Sequence, residues 1–207
     1  DDASAGIWDR ADPNPTAAQP GSDHTPAPGT MCWVTDSRGG ALGSYDVDGG
    51  KTTLKSPNYD LSGSTYAVIG YWRWYSNDQG ATPHTDVFVV DISDDGGSTW
   101  VNAETVGPTG PETSPGWFYH EFNVQDFVAL TDQVRLRFIA SDEGDGSLVE
   151  AALDDFSIAT LNCDDTWQPG DLNCDGLINA FDIDPFVLAL TDPGAYGSAY
   201  PGCNHML

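Results

Sequence analysis

Short stretches of alternating apolar and polar residues run along the chain from residue 31 to residue 160. In residues 133–140, apolar Val134, Leu136 and Phe138 alternate with polar neighbours, which predicts a strand with one buried and one exposed face. Turn-forming residues separate the stretches, and no helical period appears before residue 180, so the pattern predicts an all-β sandwich or barrel. The other predicted strands are residues 6–10, 32–35, 52–54, 66–75, 86–93, 117–124 and 151–158.

The predicted strand at residues 66–75 is strongly apolar and carries two tryptophans, Trp72 and Trp74. Because side chains two positions apart share one face of a strand, the two indoles are expected to lie side by side. They would either fill the core or form a flat surface on which sugar rings stack. We favour the core.

Residues 1–30 form an extended, proline-rich arm that is not expected to make a sheet of its own. Its prolines at positions 13, 15, 20, 26 and 28 lack the backbone donor that strand pairing needs. Ordering the arm costs roughly 1–2 kcal/mol per residue, and Ile7 and Trp8 are its only large apolar residues. It must therefore pack on its own domain or on a neighbouring copy. We predict the neighbouring copy, with Phe181 and Phe186 contributing at the other end of the chain.

A calcium-binding loop is predicted within residues 170–182. Oxygen-bearing side chains recur at the spacing of a calcium loop, and Gly176 lies where the chain must turn sharply. Ile178 is the apolar residue that ties such loops to a neighbour. The predicted ligands are the side chains of Asp171, Asn173, Asp175, Asn179 (directly or through water) and Asp182, and the main-chain carbonyl of Leu177.

An amphipathic helix is predicted directly after this loop. Its apolar residues recur with the helical spacing i, i+3, i+4 and i+7, a proline in the first turn is tolerated, and residues 191–194 end it. These apolar residues are Ile183, Phe186, Val187 and Leu190.

Loop and helix together resemble one repeat of a type I dockerin, the calcium-loop module of bacterial cellulosomes. The resemblance covers residues 170–207 and implies calcium binding there. A dockerin has two such repeats, whereas residues 170–207 contain one. Ala180 and Phe181 stand where cellulosomal dockerins carry a hydroxyl pair that helps to select the cohesin, so a cohesin is a less favoured partner.

Three segments of the main domain, residues 54–57, 86–100 and 153–158, resemble the jelly-roll sandwiches of bacterial secreted proteins, including MAM-like and carbohydrate-binding modules. The resemblance implies a jelly roll over residues 31–160, with residues 161–169 as a linker. It also implies a second, structural calcium site, in which an acidic residue of the last strand joins loop oxygens. The alternative is a set of solvated turn carboxylates. The candidate ligands are Asp154 or Asp155 with Asp23, Asp46 or Asp48.

The four cysteines are spaced neither for zinc nor for a known catalytic motif. Four cysteines allow three pairings, and two disulfides are the usual arrangement in an exported protein. We favour Cys174–Cys203, which would fasten the calcium loop to the segment after its helix, and Cys32–Cys163, which would join the first and last parts of the main domain. Free buried thiols are the alternative.

The charge of the chain limits its partners. The 32 acidic and 7 basic residues give a formal net charge of −25, which argues against nucleic acid and anionic membranes and suits a calcium-rich extracellular medium. No apolar run is long enough to span a membrane. The chain begins at Asp1, as expected of an exported protein after removal of its signal peptide.

The sequence contains only weak signals for catalytic residues. Asp142, Glu143, Asp145 and Glu150 cluster near the end of a predicted strand, and two carboxylates can hydrolyse a glycoside, but dense acids are expected at this net charge. The four histidines and the serines form no metalloprotease or nucleophile-elbow motif. Residues 93–100 fit the Asp-box pattern and predict a structural hairpin turn.

These observations predict a secreted, calcium-binding, non-enzymatic β-sandwich with a half-dockerin appendage. The favoured function is head-to-tail self-association into an extracellular filament, because two unlike ends that dock without closing a ring make a filament. The first alternative is a carbohydrate-binding accessory module of a larger hydrolase, with polysaccharide as its partner. Cohesin docking is the second.

Overall fold

The computed structural model describes residues 1–144, 146–161, 170–175 and 177–203. Its contacts divide the chain into two units, Asp1–Leu161 and Asn162–Leu207. The first unit is a sandwich of antiparallel strands, so the predicted all-β fold is confirmed.

The sandwich consists of a five-stranded sheet, in the order β1-β2-β9-β4-β7, and a four-stranded sheet, in the order β3-β8-β5-β6. The longest pairing joins β4 to β9. The strands are β1 (Trp8–Ala11), β2 (Cys32–Thr35), β3 (Gly50–Lys55), β4 (Tyr66–Gly80), β5 (Phe88–Ser93), β6 (Val101–Val106), β7 (Trp117–Asn123), β8 (Arg135–Asp142) and β9 (Ser147–Leu161).

The core lies between the two sheets. Alternate residues of each strand point inward, as the alternation in β8 predicted, and Leu136 and Phe138 are buried. Aromatic rings from opposite sheets meet there: the ring centroids of Tyr71 and Phe138 are 5.2 Å apart, and those of Tyr75 and Phe88 are 5.8 Å apart. Such packing stabilises the sandwich beyond the burial of area alone.

The N-terminal arm packs on its own domain, which corrects the prediction that it contacts a neighbouring copy. β1 pairs with β2 as an edge strand of the five-stranded sheet. Trp8 packs against the core, and its indole N–H donates to the carbonyl of Thr52 at 3.2 Å. Ile7 remains half exposed, and its carbonyl accepts from Asp36. The prolines follow β1, so they leave its backbone donors free to pair.

The second unit contains the predicted helix, α1 (Ile183–Thr191), followed by a short helix, α2 (Pro193–Ala199), that the sequence analysis did not predict. Pro185, Ala189 and Tyr196 are buried within the unit. The predicted apolar face of α1 is instead largely exposed, as is the preceding Phe181 (78 %). A role for Phe181 and Phe186 in assembly therefore stays a prediction. None of the helices in the described ranges is long and apolar enough to cross a membrane.

Candidate functional site

Trp72 and Trp74 lie on the outer face of the five-stranded sheet, so the expectation that they fill the core was wrong. Their neighbours Tyr71 and Tyr75 point inward and are buried, and the period of two sends the indoles outward. Tyr119 of β7 lies beside Trp72, with ring centroids 5.5 Å apart. We call Trp72, Trp74, Trp117 and Tyr119 the outer aromatic face.

The N-terminal arm covers much of this outer aromatic face. The carbonyl of Ala18 accepts from the indole N–H of Trp74 at 2.7 Å and from the hydroxyl of Ser76 at 2.9 Å. The imidazole of His24 stacks on Trp72, with ring centroids 3.7 Å apart and planes 17° apart. The ring surface that a sugar would need on Trp72 is therefore contacted by the protein itself, while Tyr119 stays 48 % exposed.

Two carboxylates of β9 hold the arm in place. Asp154 accepts from the backbone N–H groups of His24 and Thr25, at 2.8 and 3.1 Å. Asp155 pairs with the His24 ring at 2.8 Å. Burial alone would raise the pKa of Asp155, but the hydrogen bonds from His24 and Thr25 outweigh burial and hold this pKa below its ordinary value. Burial and the charge of Asp154 raise the pKa of Asp23. Asp23, Asp154 and Asp155, three of the five residues expected at the second calcium site, therefore lie close together.

The other two expected second-site residues, Asp46 and Asp48, belong to a different acidic group. Asp46 is buried, and burial and the charges of Asp48 and Asp142 raise its pKa to about 6. Burial, Asp86 and Asp48 likewise raise the pKa of Asp142 to about 6. The structure therefore separates the predicted second calcium site into two acidic groups.

In the described structure, the candidate catalytic carboxylates do not pair with one another as a general acid and a general base. Asp142 accepts a hydrogen bond from Ser147, and Glu150 accepts one from Thr35. Burial raises the pKa of Glu150 to about 8, with the charge of Asp46 adding to the rise. Glu143 pairs with Lys51 at the surface, and Asp145 lies outside the described residues.

An open cleft lies between the two sheets on the side where β2 and β3 approach each other. Trp33 and Tyr59 line it beside Phe156, and the rings of Tyr59 and Phe156 are 5.6 Å apart and 18° from parallel. Trp33 is 38 % exposed, and the cleft has a volume of about 160 Å³. Lys55 and Ser56 add polar groups to its lining. We call this the aromatic cleft.

The aromatic cleft was not expected from the sequence, because its residues are far apart in the chain. Trp33 belongs to β2, Tyr59 follows β3, and Phe156 belongs to β9. One signal was available: Trp33 alternates with Cys32 and Val34, which are buried on the opposite face of β2, so its side chain had to point the other way. Burial raises the pKa of the Tyr59 phenol.

Asp182 joins the beginning and the end of the predicted calcium loop. This buried carboxylate accepts from the backbone N–H groups of Leu172, Asn173 and Asn179, at 2.7, 3.2 and 2.8 Å. These bonds hold the pKa of Asp182 below its ordinary value despite partial desolvation. Asp175 donates its backbone N–H to Asp171 at 3.1 Å, so the first and last predicted ligands both organise the loop.

The predicted ligands of this loop fit calcium in their chemistry, because all of them offer oxygen. Asp171 is buried. The side-chain amide of Asn173 donates to a carboxylate oxygen of Asp175 at 3.0 Å, and Asn179 caps the turn that leads into α1. Leu177, whose carbonyl is a predicted ligand, has an exposed side chain. Gly176 lies outside the described residues. These residues would hold a Ca²⁺ ion, whose contribution would be to neutralise the clustered carboxylates.

The structure contains the expected disulfide between Cys174 and Cys203. Among the residues that the structure describes, Cys32 is a buried free thiol that packs with Val34 and Ala152, and its expected partner Cys163 lies outside them. Burial and the charge of Asp154 raise the pKa of the Cys32 thiol to about 12, so it stays protonated at neutral pH.

The Asp-box hairpin is structural, as expected. Asp95 accepts from the backbone N–H groups of Ser98 and Thr99, both at 2.9 Å. These bonds lower the pKa of Asp95. The guanidinium of Arg137 lies 4.5 Å from the centroid of the Trp100 ring.

Three solved structures that are similar to this chain are an adhesin domain and two carbohydrate-binding modules. The K1 cleaved adhesin domain of Lys-gingipain from Porphyromonas gingivalis W83 is 16 % identical, covers 76 % of this chain and 85 % of its own, and has a TM-score of 0.46. A carbohydrate-binding module of family 28, specific for non-crystalline cellulose, is 12 % identical, covers 66 % and 79 %, and has a TM-score of 0.39. A family 30 carbohydrate-binding module is 11 % identical, covers 86 % and 94 %, and has a TM-score of 0.39.

No protein-family model and no curated protein matches the chain. The three TM-scores are below 0.5.

Proposed function

We propose that this protein is a non-catalytic, secreted carbohydrate-binding module with a calcium-stabilised repeat at its C-terminal end. The aromatic cleft carries the proposal. It is an open hollow in which three aromatic side chains and a few polar groups converge, and such hollows are the usual form of small-ligand sites. The head-to-tail filament is not proposed, since the arm that was to make its contact packs on its own domain.

The chemistry of the aromatic cleft suits a sugar. A pyranose ring has C–H faces that pack on aromatic rings and hydroxyl edges that need donors and acceptors. The ring of Trp33 is partly exposed and can pack on the C–H face of a sugar. The nearly parallel rings of Tyr59 and Phe156 form a second flat surface. Lys55 and Ser56 supply polar groups at the same place. A volume of about 160 Å³ suits one sugar unit or the end of a chain rather than a long oligosaccharide.

The outer aromatic face is the less suitable surface, although it has more rings. His24 stacks on Trp72, and Ala18 accepts the hydrogen bond of the Trp74 indole, so a glycan would first have to displace the arm. Tyr119 is its exposed member. This difference supplies a matched comparison, because Trp33 and Tyr119 are both exposed aromatic residues on the same sandwich.

Native gel electrophoresis in gels that contain soluble glucans, xylans, mannans or galactans tests the proposal. We expect at least one polysaccharide to retard the parent protein. Trp33→Ala should weaken that binding by about tenfold or more, because a tryptophan that anchors a binding site costs about 2 kcal/mol or more when it is truncated, and about 1.4 kcal/mol is tenfold in affinity. Tyr119→Ala should bind like the parent. If no polysaccharide retards the parent, or if Trp33→Ala binds like the parent, the proposal is wrong.

A calcium ion in the loop of residues 171–182 would support the second unit rather than contact a glycan. The loop is acidic and closes on the buried Asp182, and bound Ca²⁺ would offset the repulsion between its carboxylates. Glycan binding by the sandwich is therefore expected to survive chelation of this ion.

A further inference from the structure

The basic side chains of this acidic chain are of two kinds. The chain has 32 acidic and 7 basic residues, so a carboxylate is the expected partner of a basic side chain. Four basic side chains do form ion pairs with carboxylates, namely Arg38, Lys51, Arg73 and Arg137. The other three, Arg10, Lys55 and Arg135, form no ion pair with any residue that the structure describes. Their places in the fold are therefore informative.

Arg10 lies beside Trp33, on the side of the sheet that faces the aromatic cleft. The two residues are directly opposite each other in the pairing of β1 with β2, so their side chains share one face. Trp8, two residues earlier, shares this face as well, and its indole N–H donates to the carbonyl of Thr52 in β3. The face of β1 that carries Arg10 is thus turned toward β3, and Arg10 itself is exposed.

Lys55 and Arg135 lie on the β3 side of the aromatic cleft. Lys55 is the last residue of β3, is exposed, and lines the cleft. Arg135 begins β8, and its Nη2 and Nη1 atoms donate to the carbonyls of Ser56 at 2.7 Å and Gly96 at 3.3 Å. Ser56 also lines the cleft, so neutral carbonyls hold this guanidinium next to it. All three basic side chains without an ion pair are therefore in or beside the aromatic cleft.

The cleft differs in charge from the rest of the protein. Of the described residues that line it, Lys55 is the charged one and none is acidic. The net charge of −25 repels an anion at long range, but at physiological ionic strength the interaction between exposed charges is largely screened beyond roughly 8 Å. A group bound in the cleft therefore responds chiefly to the nearby cations, which repel one another and attract an anion.

We propose that the aromatic cleft binds an acidic sugar, a pyranose of the uronic acid class, whose carboxylate contacts the cationic groups of Arg10 and Lys55. This inference rests on the proposed function, because the same ring packs on Trp33. A guanidinium suits a carboxylate, since it can donate two parallel hydrogen bonds to the two oxygens. The cleft volume of about 160 Å³ suits one sugar unit, so the unit that packs on Trp33 is also the one that carries the acid.

Isothermal titration of the full chain with acidic oligosaccharides tests this inference. The ligands are oligosaccharides of polygalacturonate, alginate and glucuronoxylan, each compared with its carboxyl-reduced form, in which every carboxylate has become a primary alcohol. A calcium chelator excludes a Ca²⁺ bridge between the acidic protein and the acidic ligand. At least one acidic oligosaccharide should bind about tenfold or more tightly than its reduced form, and this preference should fade at high salt, because it comes from charge-assisted contacts near the surface.

Arg10→Gln and Lys55→Gln should each reduce this preference by about threefold, and together by about tenfold, because each removes one exposed cation. Lys51→Gln is the matched control. Lys51 is also an exposed lysine of β3, but it pairs with Glu143 at 2.9 Å, so its loss should leave the preference unchanged. Lys55→Arg retains the charge and should retain the preference. The affinity for the reduced form should be the same in all of these variants.

The outcomes separate this inference from the proposed function. Equal or tighter binding of the reduced forms would overturn the inference and leave carbohydrate binding in the cleft intact. If neither form binds, the proposed function fails and the inference fails with it. A preference for the acidic form that Arg10→Gln and Lys55→Gln leave unchanged would contradict the assignment of the carboxylate to these cations. Tighter binding of dextran sulfate than of every acidic oligosaccharide would assign the cations to sulfate esters and rule out the uronic acid.

Discussion

Replacing Arg73 by methionine should destabilise the sandwich strongly while leaving its packing nearly unchanged. Arg73 is 2 % exposed in the middle of β4, and its Nε and Nη2 atoms donate to one oxygen of Glu104 at 2.8 and 2.6 Å. The other oxygen of Glu104 accepts from the Tyr71 hydroxyl at 2.8 Å, and the side chain of Glu104 is 8 % exposed. Methionine fills a similar aliphatic volume but carries no charge.

The expected loss is about 3–5 kcal/mol in the free energy of unfolding, because removal of one partner leaves the other charge buried and uncompensated. The Nδ1 atom of His120 lies 3.2 Å from the Glu104 oxygen that Arg73 contacts. The double variant Arg73→Met with Glu104→Gln should lose less than about 2 kcal/mol, since a neutral pair of similar shape avoids the buried charge.

Urea unfolding followed by tryptophan fluorescence measures these differences. Glu112→Gln is the matched control: Glu112 also contacts Arg73, but its side chain is 43 % exposed, so its loss should cost at most about 1 kcal/mol. A loss below about 1 kcal/mol for Arg73→Met would refute the reasoning. So would a double variant as unstable as the single one, since the cost would then come from packing and not from charge.

Three further predictions concern pH, the calcium loop and the arm. Burial raises the folded-state pKa of Glu150 from 4.5 to about 8, so Glu150 should contribute roughly 2–4 kcal/mol of stability that is lost as pH rises between these values. Glu150→Gln should flatten the slope between about pH 6 and about pH 8, above the pKa values of Asp46 and Asp142, and equal slopes of parent and variant there in urea titrations with a calcium chelator would contradict the prediction. Asp175→Ala should lose one bound Ca²⁺ by isothermal titration, whereas Asp184→Asn, on the exposed surface of α1, should keep it; equal stoichiometry would show that the loop assignment is wrong. Deletion of residues 1–11 should leave a monomer in sedimentation that is about 2–4 kcal/mol less stable, because β1 and the packing of Trp8 are lost; unchanged stability would show that the arm is not part of the sheet.

Strand periodicity predicted most of the sandwich, because a period of two is a local property. It placed eight of the observed strands, and the separate helical spacing i, i+3, i+4 and i+7 placed α1. It missed β6, whose polar residues pair with β5 across a tight hairpin, and α2, which begins at a proline that was expected only to end α1.

The binding surfaces could not be predicted in the same way. Whether Trp72 faces the core or the outside depends on which face of β4 the opposite sheet covers, and that is decided by residues far away in the chain. The aromatic cleft depends on three segments that meet only in the folded sandwich. The arm was predicted to contact a neighbouring copy because its prolines oppose regular strand pairing. The hydrogen bonds that join it to β2 and β9 exist only in the folded sandwich and could not be predicted from the sequence.

The most direct test of carbohydrate binding in the aromatic cleft is an NMR titration of the indole N–H resonances. The chain has seven tryptophans, and among those that the structure describes Trp33 lines the cleft. With an oligosaccharide from the polysaccharide that retards the protein, the Trp33 resonance should shift in a saturable way, while those of Trp72 and Trp74 stay in place. A saturable shift of Trp72 without Trp33, or no shift of Trp33 at saturation, would contradict the account.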